Sequence, residues 1–156
     1  MKVLRGAVVA ACLMGFLGAA SAEAATECLT VDARKGWQTM ESEGGFFFDA
    51  GWRGAWSVDA VNYDPVGPFG HSGSAAQALQ PYEQYKYETS LPFGAMLVEM
   101  NDEVMSLDSF VQLLDEEADE LYSAPHAFYA FRINDSDRSL GDNGGAIELC
   151  FEFVDY

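Results

Sequence analysis

Twelve residues near the C-terminus carry the densest oxygen chemistry of the chain: Asn134-Asp135-Ser136-Asp137-Arg138-Ser139-Leu140-Gly141-Asp142-Asn143-Gly144-Gly145. Carboxylates, side-chain amides and glycines alternate there, so a tightly curved backbone presents many oxygens at once. That is the chemistry of a calcium site, because the ion takes about six to eight oxygen ligands from carboxylates, amide carbonyls and main chain. The EF-hand spacing does not fit. Counting from Asp135, the obligatory glycine falls on Leu140 and the bidentate glutamate on Ala146. Composition alone leaves a polar hairpin loop as the other reading of the same segment.

No competing chemistry is visible elsewhere. There is no Gly-x-Ser-x-Gly elbow and no His-Glu-x-x-His pair, and the only histidines, His71 and His126, lack ligand spacing with a cysteine. Neighbouring acids such as Glu116 and Glu117 read as a solvated charge run rather than as a glycosidase pair. An enzyme is therefore not expected. The formal charge of −17, from 25 acidic and 8 basic residues, argues against a nucleic-acid backbone or an anionic lipid surface as partner. Cations, neutral sugars or another protein remain.

The elements that must position this loop follow from the rest of the chain. Residues 1–22 read as a cleavable signal peptide: Lys2 and Arg5, an apolar stretch to Ala20, then Ala20-Ser21-Ala22, with Ala22-Glu23-Ala24 as a second cutting site. The apolar run is shorter than a membrane span needs, and no later stretch is long enough, so a periplasmic or secreted protein without a membrane span is expected. Residues 23–156 then form a single domain. Its two cysteines, Cys28 and Cys150, are most simply one disulfide in an oxidising compartment.

Strand signals recur along that domain: Leu29–Val31, Trp37–Met40, Phe46–Phe48, Trp52–Val58, Gly94–Met100, Phe128–Ile133 and Ile147–Val154. In the last of these, Ile147, Leu149, Phe151 and Phe153 alternate, which sets Cys150 on the opposite face. Asn62 to Gly73 is a Pro- and Gly-rich loop, and 74–90 is polar and tyrosine-rich without a clean period. One stretch is discordant. Leu107, Phe110, Val111, Leu114, Ala118 and Leu121 fall on a helical stripe, and taken alone 107–121 reads as a helix. The many short strands point to an all-β architecture, a β-sandwich.

Asn134-Asp135 followed by Asp142-Asn143-Gly144-Gly145 resembles the N-D…(D/N)-N-x-G calcium loop of the PA-IL-like bacterial galactophilic lectins. Further segments resemble that family in the same order. They are Val31-Asp32-Ala33 with Trp37-Gln38, Asp49-Ala50-Gly51-Trp52, Val66-Gly67-Pro68-Phe69-Gly70, Phe93-Gly94-Ala95-Met96-Leu97, and Tyr122-Ser123-Ala124-Pro125 leading into Phe131–Asp135. The resemblance implies a jelly-roll-like β-sandwich, with strands in place of the helix around Phe110 and Leu121.

It also implies Ca2+ held by the side chains of Asp135, Asp142 and Asn143, by the Ser139 carbonyl, and by a carbonyl just after Trp52, near Ala55 or Trp56. The function it implies is an exported calcium-dependent carbohydrate-binding, lectin-like protein; the alternative is a calcium-stabilised structural or protein-interaction domain. In galactose-binding members of that family a His and a Gln beyond the G-P-x-G turn touch the sugar. Here His71 follows Gly70 directly, Gln77 and Gln80 lie farther on, and the His-Pro-x-x-Gln spacing is absent. His71 and Gln77, with Asp135 and Asp142, are the expected ligand contacts. Tyr82 lies in the segment expected to face them, and Trp52, Trp56 and Tyr63 are candidate stacking surfaces.

Overall fold

The computed structural model describes residues 24–41, 46–117 and 128–154. The expected signal peptide, His126 and Leu121 lie outside them. The chain runs β1 (Ala24–Asp32), β2 (Gln38–Glu41), β3 (Phe46–Ser57), α1 (Gly73–Leu79), a 3-10 helix (Gln80–Tyr85), β4 (Met96–Met100), β5 (Glu103–Ser106), α2 (Leu107–Glu117), β6 (Phe128–Ile133) and β7 (Gly144–Val154). The strands make two open antiparallel sheets, one ordered β1-β7-β3 and the other β2-β6-β4-β5.

The alternation read in β7 is realised. Ile147, Leu149 and Phe151 are fully buried, whereas Cys150 lies on the other face and is only half-buried. Cys28 stands opposite Cys150 in the β1–β7 register, and the two form a disulfide spanning 122 residues of sequence. Closing a loop of that length is worth about 4–5 kcal/mol on the chain-entropy view. One buried cluster joins the inner faces of both sheets: Val31, Trp56, Ile147, Leu149 and Phe151 from the first, Met96, Val98, Phe131 and Ile133 from the second. Phe131 and Phe151 meet across it at 5.6 Å between ring centroids.

The expectation of an all-β jelly-roll-like sandwich is overturned. The described residues form a mixed α/β fold, with two α-helices, one 3-10 helix and two sheets that do not close on one another. The decisive element is α2, where the helical period of the sequence prevails over the strands that the family resemblance implied. Leu107 and Phe110, one turn apart, are buried, and Phe110 packs on Tyr129 and Phe151. The Ser106 hydroxyl accepts the Ser109 backbone N–H at 3.1 Å, an N-cap that starts the helix where the strand ends. Ahead of it, Asn101 and Asp102 take positive φ values of 54° and 66° and turn β4 back into β5 as a two-residue hairpin.

The topology fixes the place of the oxygen-rich loop. β6 belongs to one sheet and β7 to the other, so residues 134–143 cross from sheet to sheet at one end of the core. Chain leaving β3 is held at the same end. Trp56 and Val66 exchange backbone hydrogen bonds, and the Ala60 N–H donates to the Asp142 carbonyl at 2.9 Å. Gly145 makes this approach possible: its φ is 86°, and a Cβ there would sit 2.4 Å from the Ala55 carbonyl oxygen.

Candidate functional site

The loop is anchored from both sides before any ligand is considered. Asn134, fully buried, donates through its amide to the carbonyls of Glu88, Leu91 and Pro92 and accepts the Glu88 N–H. The Ser136 N–H donates to the Tyr85 carbonyl at 2.6 Å. These bonds tie the loop to the chain that follows the 3-10 helix. Arg132 braces it from behind. Its buried guanidinium lies 4.0 Å from the Tyr87 ring centroid and 5.5 Å from that of Trp37, donates to the Asp135 carbonyl at 2.8 Å, and pairs with Asp137. An arginine so desolvated is tolerable because its donors are engaged and its faces lie near aromatic rings.

Within this frame the two residues at the heart of the expected calcium set are buried, Asp135 to 1 % exposure and Asn143 to 4 %. Asp135 Oδ1 accepts the Ser136 N–H and the Ser139 hydroxyl, the latter at 2.6 Å. Its other oxygen, Oδ2, is buried without a hydrogen-bond partner, and so is Asn143 Oδ1, whose amide nitrogen is occupied by the Ala33 carbonyl. Burial is the largest influence on the Asp135 carboxyl and pushes its pKa up; the Ser139 and Ser136 bonds and the nearby Asn143 amide, too far or too misaligned to bond it, oppose the rise, and the Asp142 charge adds to it.

Two buried acceptors lacking a donor are what a hard cation satisfies, since each unfilled group carries a desolvation cost of about 1–3 kcal/mol. The same loop carries Asp142, exposed, and the Ser139 carbonyl, which accepts the Asp142 N–H at 3.3 Å. In chemical type these donors, two carboxylates, one amide and main chain, are ones that calcium accepts. Among the described residues no group of three or more His, Cys, Asp or Glu side chains is placed to hold a metal. The candidate set instead relies on amide and backbone oxygen.

Asp135, Ser139 and Asp142 open onto a cavity of about 680 Å³. Its other walls are Asp59, Asn62 and Tyr63 from the chain after β3, and Tyr82 and Tyr85 from the 3-10 helix, with Arg138 at the loop side. Tyr82 is 48 % and Tyr85 45 % exposed, so each has ring surface free for a ligand. Asp59 bonds its own turn: Oδ1 accepts the N–H groups of Val61 and Asn62, and Oδ2 accepts the Asn62 amide. Those bonds, led by the Asn62 side chain, hold its pKa below the ordinary carboxylate value.

The other expected ligand residues are placed elsewhere. Ala55 is paired with Ala146 inside the β3–β7 ladder and does not line the cavity, so the β3 side of the site begins later, at Val58 and Asp59. His71 is buried, edge-on to Tyr63 at 5.9 Å, with Nε2 unpartnered; burial lowers its pKa, partly offset by Asp64. It supports the cavity from behind Tyr63 rather than lining it. Gln77 sits exposed on α1 and borders a separate cavity of about 160 Å³ with Leu79 and Lys86. Of the stacking candidates, Trp56 is core and donates to the Gly94 carbonyl, Trp52 packs edge-on against Phe69, and only Tyr63 reaches the cavity.

Asp59, Tyr85 and Arg138 are additions that the sequence reading lacked. For Asp59 a local signal existed, an Asp-x-x-Asn turn just beyond a strand. No family model, no curated protein and no solved structure matches this chain, so the lectin resemblance rests on the motifs quoted above. Among the described residues no helix is long and apolar enough to cross a membrane.

Proposed function

We propose that this chain is an exported calcium-dependent carbohydrate-binding protein whose ion is held by Asp135, Asn143, Asp142 and the Ser139 carbonyl. The observation that carries the reading is the pair of buried, donorless oxygens, Asp135 Oδ2 and Asn143 Oδ1, beside a tyrosine-lined cavity. A bound calcium ion supplies positive charge and coordination positions that water or paired sugar hydroxyls can fill. The protein supplies the rest. The Tyr82, Tyr85 and Tyr63 rings offer apolar faces for a sugar ring, and Asn62 offers an amide for its hydroxyls. A disulfide between the first and last strands suits the oxidising periplasmic or extracellular setting that the N-terminal sequence predicts.

The test is calorimetric titration of the mature protein with a monosaccharide panel, first with calcium and then with EDTA. Millimolar or tighter binding that disappears with EDTA and in Asp142→Ala is expected. Calcium binding without any sugar response would leave a calcium-stabilised structural or protein-interaction domain in its place.

A further inference from the structure

We propose that the saccharide recognised in this cavity carries a single carboxylate, as a uronic acid does, and that Arg138 is the residue selecting it. This rests on the calcium-dependent carbohydrate reading above and adds the chemical class of the ligand. The starting point is the placement of positive charge. The described part of this strongly acidic chain holds few cations, and most are engaged: Arg34 with Asp32, Arg53 with Glu148, Lys86 with Glu83, Arg132 with Asp137. Arg138 lines the cavity, is exposed, and among the described residues has no ion-pair partner, although Asp59, Asp135 and Asp142 line the same cavity.

An unpaired guanidinium at the wall of a cavity is a two-pronged donor suited to a carboxylate, which it binds through parallel N–H bonds. The charge balance tolerates a ligand carboxylate only when a divalent cation is bound. With a divalent cation bound, the three aspartates, the ion and Arg138 sum to zero, so one ligand carboxylate meets no net repulsion inside the cavity. Without the ion the same wall is negative and repels it. Carboxylate recognition is therefore linked to calcium, and a polyanionic chain is disfavoured by the surrounding acidic surface beyond the reach of Arg138. The sugar ring remains necessary, because Tyr63, Tyr82 and Tyr85 present ring faces that a bare carboxylate cannot use.

The experiment compares D-galacturonate with D-galactose, D-glucuronate with D-glucose, and acetate alone, by calorimetry at buffered free calcium. Wild type, Arg138→Gln and Arg138→Lys are used. An exposed guanidinium–carboxylate pair yields a preference of about fivefold for at least one uronate over its neutral parent. That margin is expected to vanish in Arg138→Gln, to survive in part in Arg138→Lys, and to shrink with added salt. Equal or tighter binding of both neutral sugars overturns the proposal, and so does a uronate preference unchanged in Arg138→Gln. Acetate binding as tightly as the uronate, beside calcium-dependent binding of the neutral sugars, shows that Arg138 does not select a sugar acid and overturns it as well. Each of these leaves the calcium-dependent sugar reading standing. Calcium binding with no response to any sugar overturns that reading and this proposal together.

Discussion

Two aspartates face the same cavity with their carboxyl pKa values shifted in opposite directions, and their surroundings show why. Asp59 directs both oxygens to groups within three residues of itself, the N–H groups of Val61 and Asn62 and the Asn62 amide. Its charge is stabilised by donors from its own turn. Asp135 is buried, engages one oxygen, leaves the other without a donor, and has the Asp142 charge nearby. Its loop is held by distant partners, through Asn134 to residues 88–92 and through Arg132 to the aromatic rings of Trp37 and Tyr87. One aspartate builds a wall of the cavity with both oxygens engaged, and the other keeps a buried oxygen that no donor reaches. A carboxylate's role here follows from which donors reach it.

Breaking the long-range anchoring of the second region is expected to have the largest effect. Asn134→Ala removes the amide that engages three carbonyls and one N–H, and leaves the Leu91 carbonyl and the Glu88 N–H without partners, while the Glu88 and Pro92 carbonyls keep the Leu91 and Ala95 N–H groups. A loss of about 3 kcal/mol is expected, lowering the melting temperature by roughly 10 °C. Thermal denaturation followed by near-ultraviolet circular dichroism reads both the stability and the packing of Tyr82, Tyr85 and Tyr87. An Asn134→Ala protein that melts with wild type would mean the loop is anchored some other way.

The Asp59 turn should be more tolerant. Asp59→Ala loses exposed, local hydrogen bonds, with an expected cost of order 1 kcal/mol, and it should keep the full stabilisation by calcium. If Asp59→Ala instead removes the calcium response, the contrast between the two aspartates fails, and Asp59 belongs to the ion's ligand set.

A smaller effect concerns His71, which packs edge-on against Tyr63. The His71 pKa is lowered in the folded protein by burial, so the unfolded chain binds a proton first as pH falls. Stability from this residue is complete above its unfolded value of about 6.5 and is lost as pH drops through that value toward the lower folded one. Denaturant midpoints should therefore fall between pH 7.5 and 5.5. In His71→Gln that fall should be reduced. An identical pH profile in the variant would show that His71 does not contribute.

What could be read from the sequence follows the range of the interactions involved. The oxygen-rich loop, the Cys28–Cys150 pairing and the alternation of β7 are local patterns or simple counting, and each could be read directly. The α2 helix was equally legible in the spacing of Leu107 and Phe110. The family resemblance implies strands there instead, and the Ser106 cap and the burial of Phe110 show why the helical period prevails. The cavity was not legible in the same way. Asp59 enters it because the Trp56–Val66 bridge and the Ala60–Asp142 hydrogen bond fold the β3 exit against a loop far along the chain. His71 and Gln77 were placed by analogy of order in the sequence, whereas their positions are set by tertiary packing beneath Tyr63 and by the exposed side of α1.

The most direct measurement is thermal denaturation of the metal-stripped mature protein in EDTA and in calcium, for wild type and Asp135→Asn. At a hundredfold excess over its dissociation constant, an ion binding only the folded state adds about 2.7 kcal/mol, several degrees for a domain of this size. Wild type is expected to gain that increment. Asp135→Asn, which removes a buried charge lacking full compensation, is expected to melt above wild type in EDTA and to gain nothing from calcium. Wild-type curves that coincide in EDTA and calcium, or an Asp135→Asn protein that still responds to calcium, would contradict a cation site at the 134–143 loop.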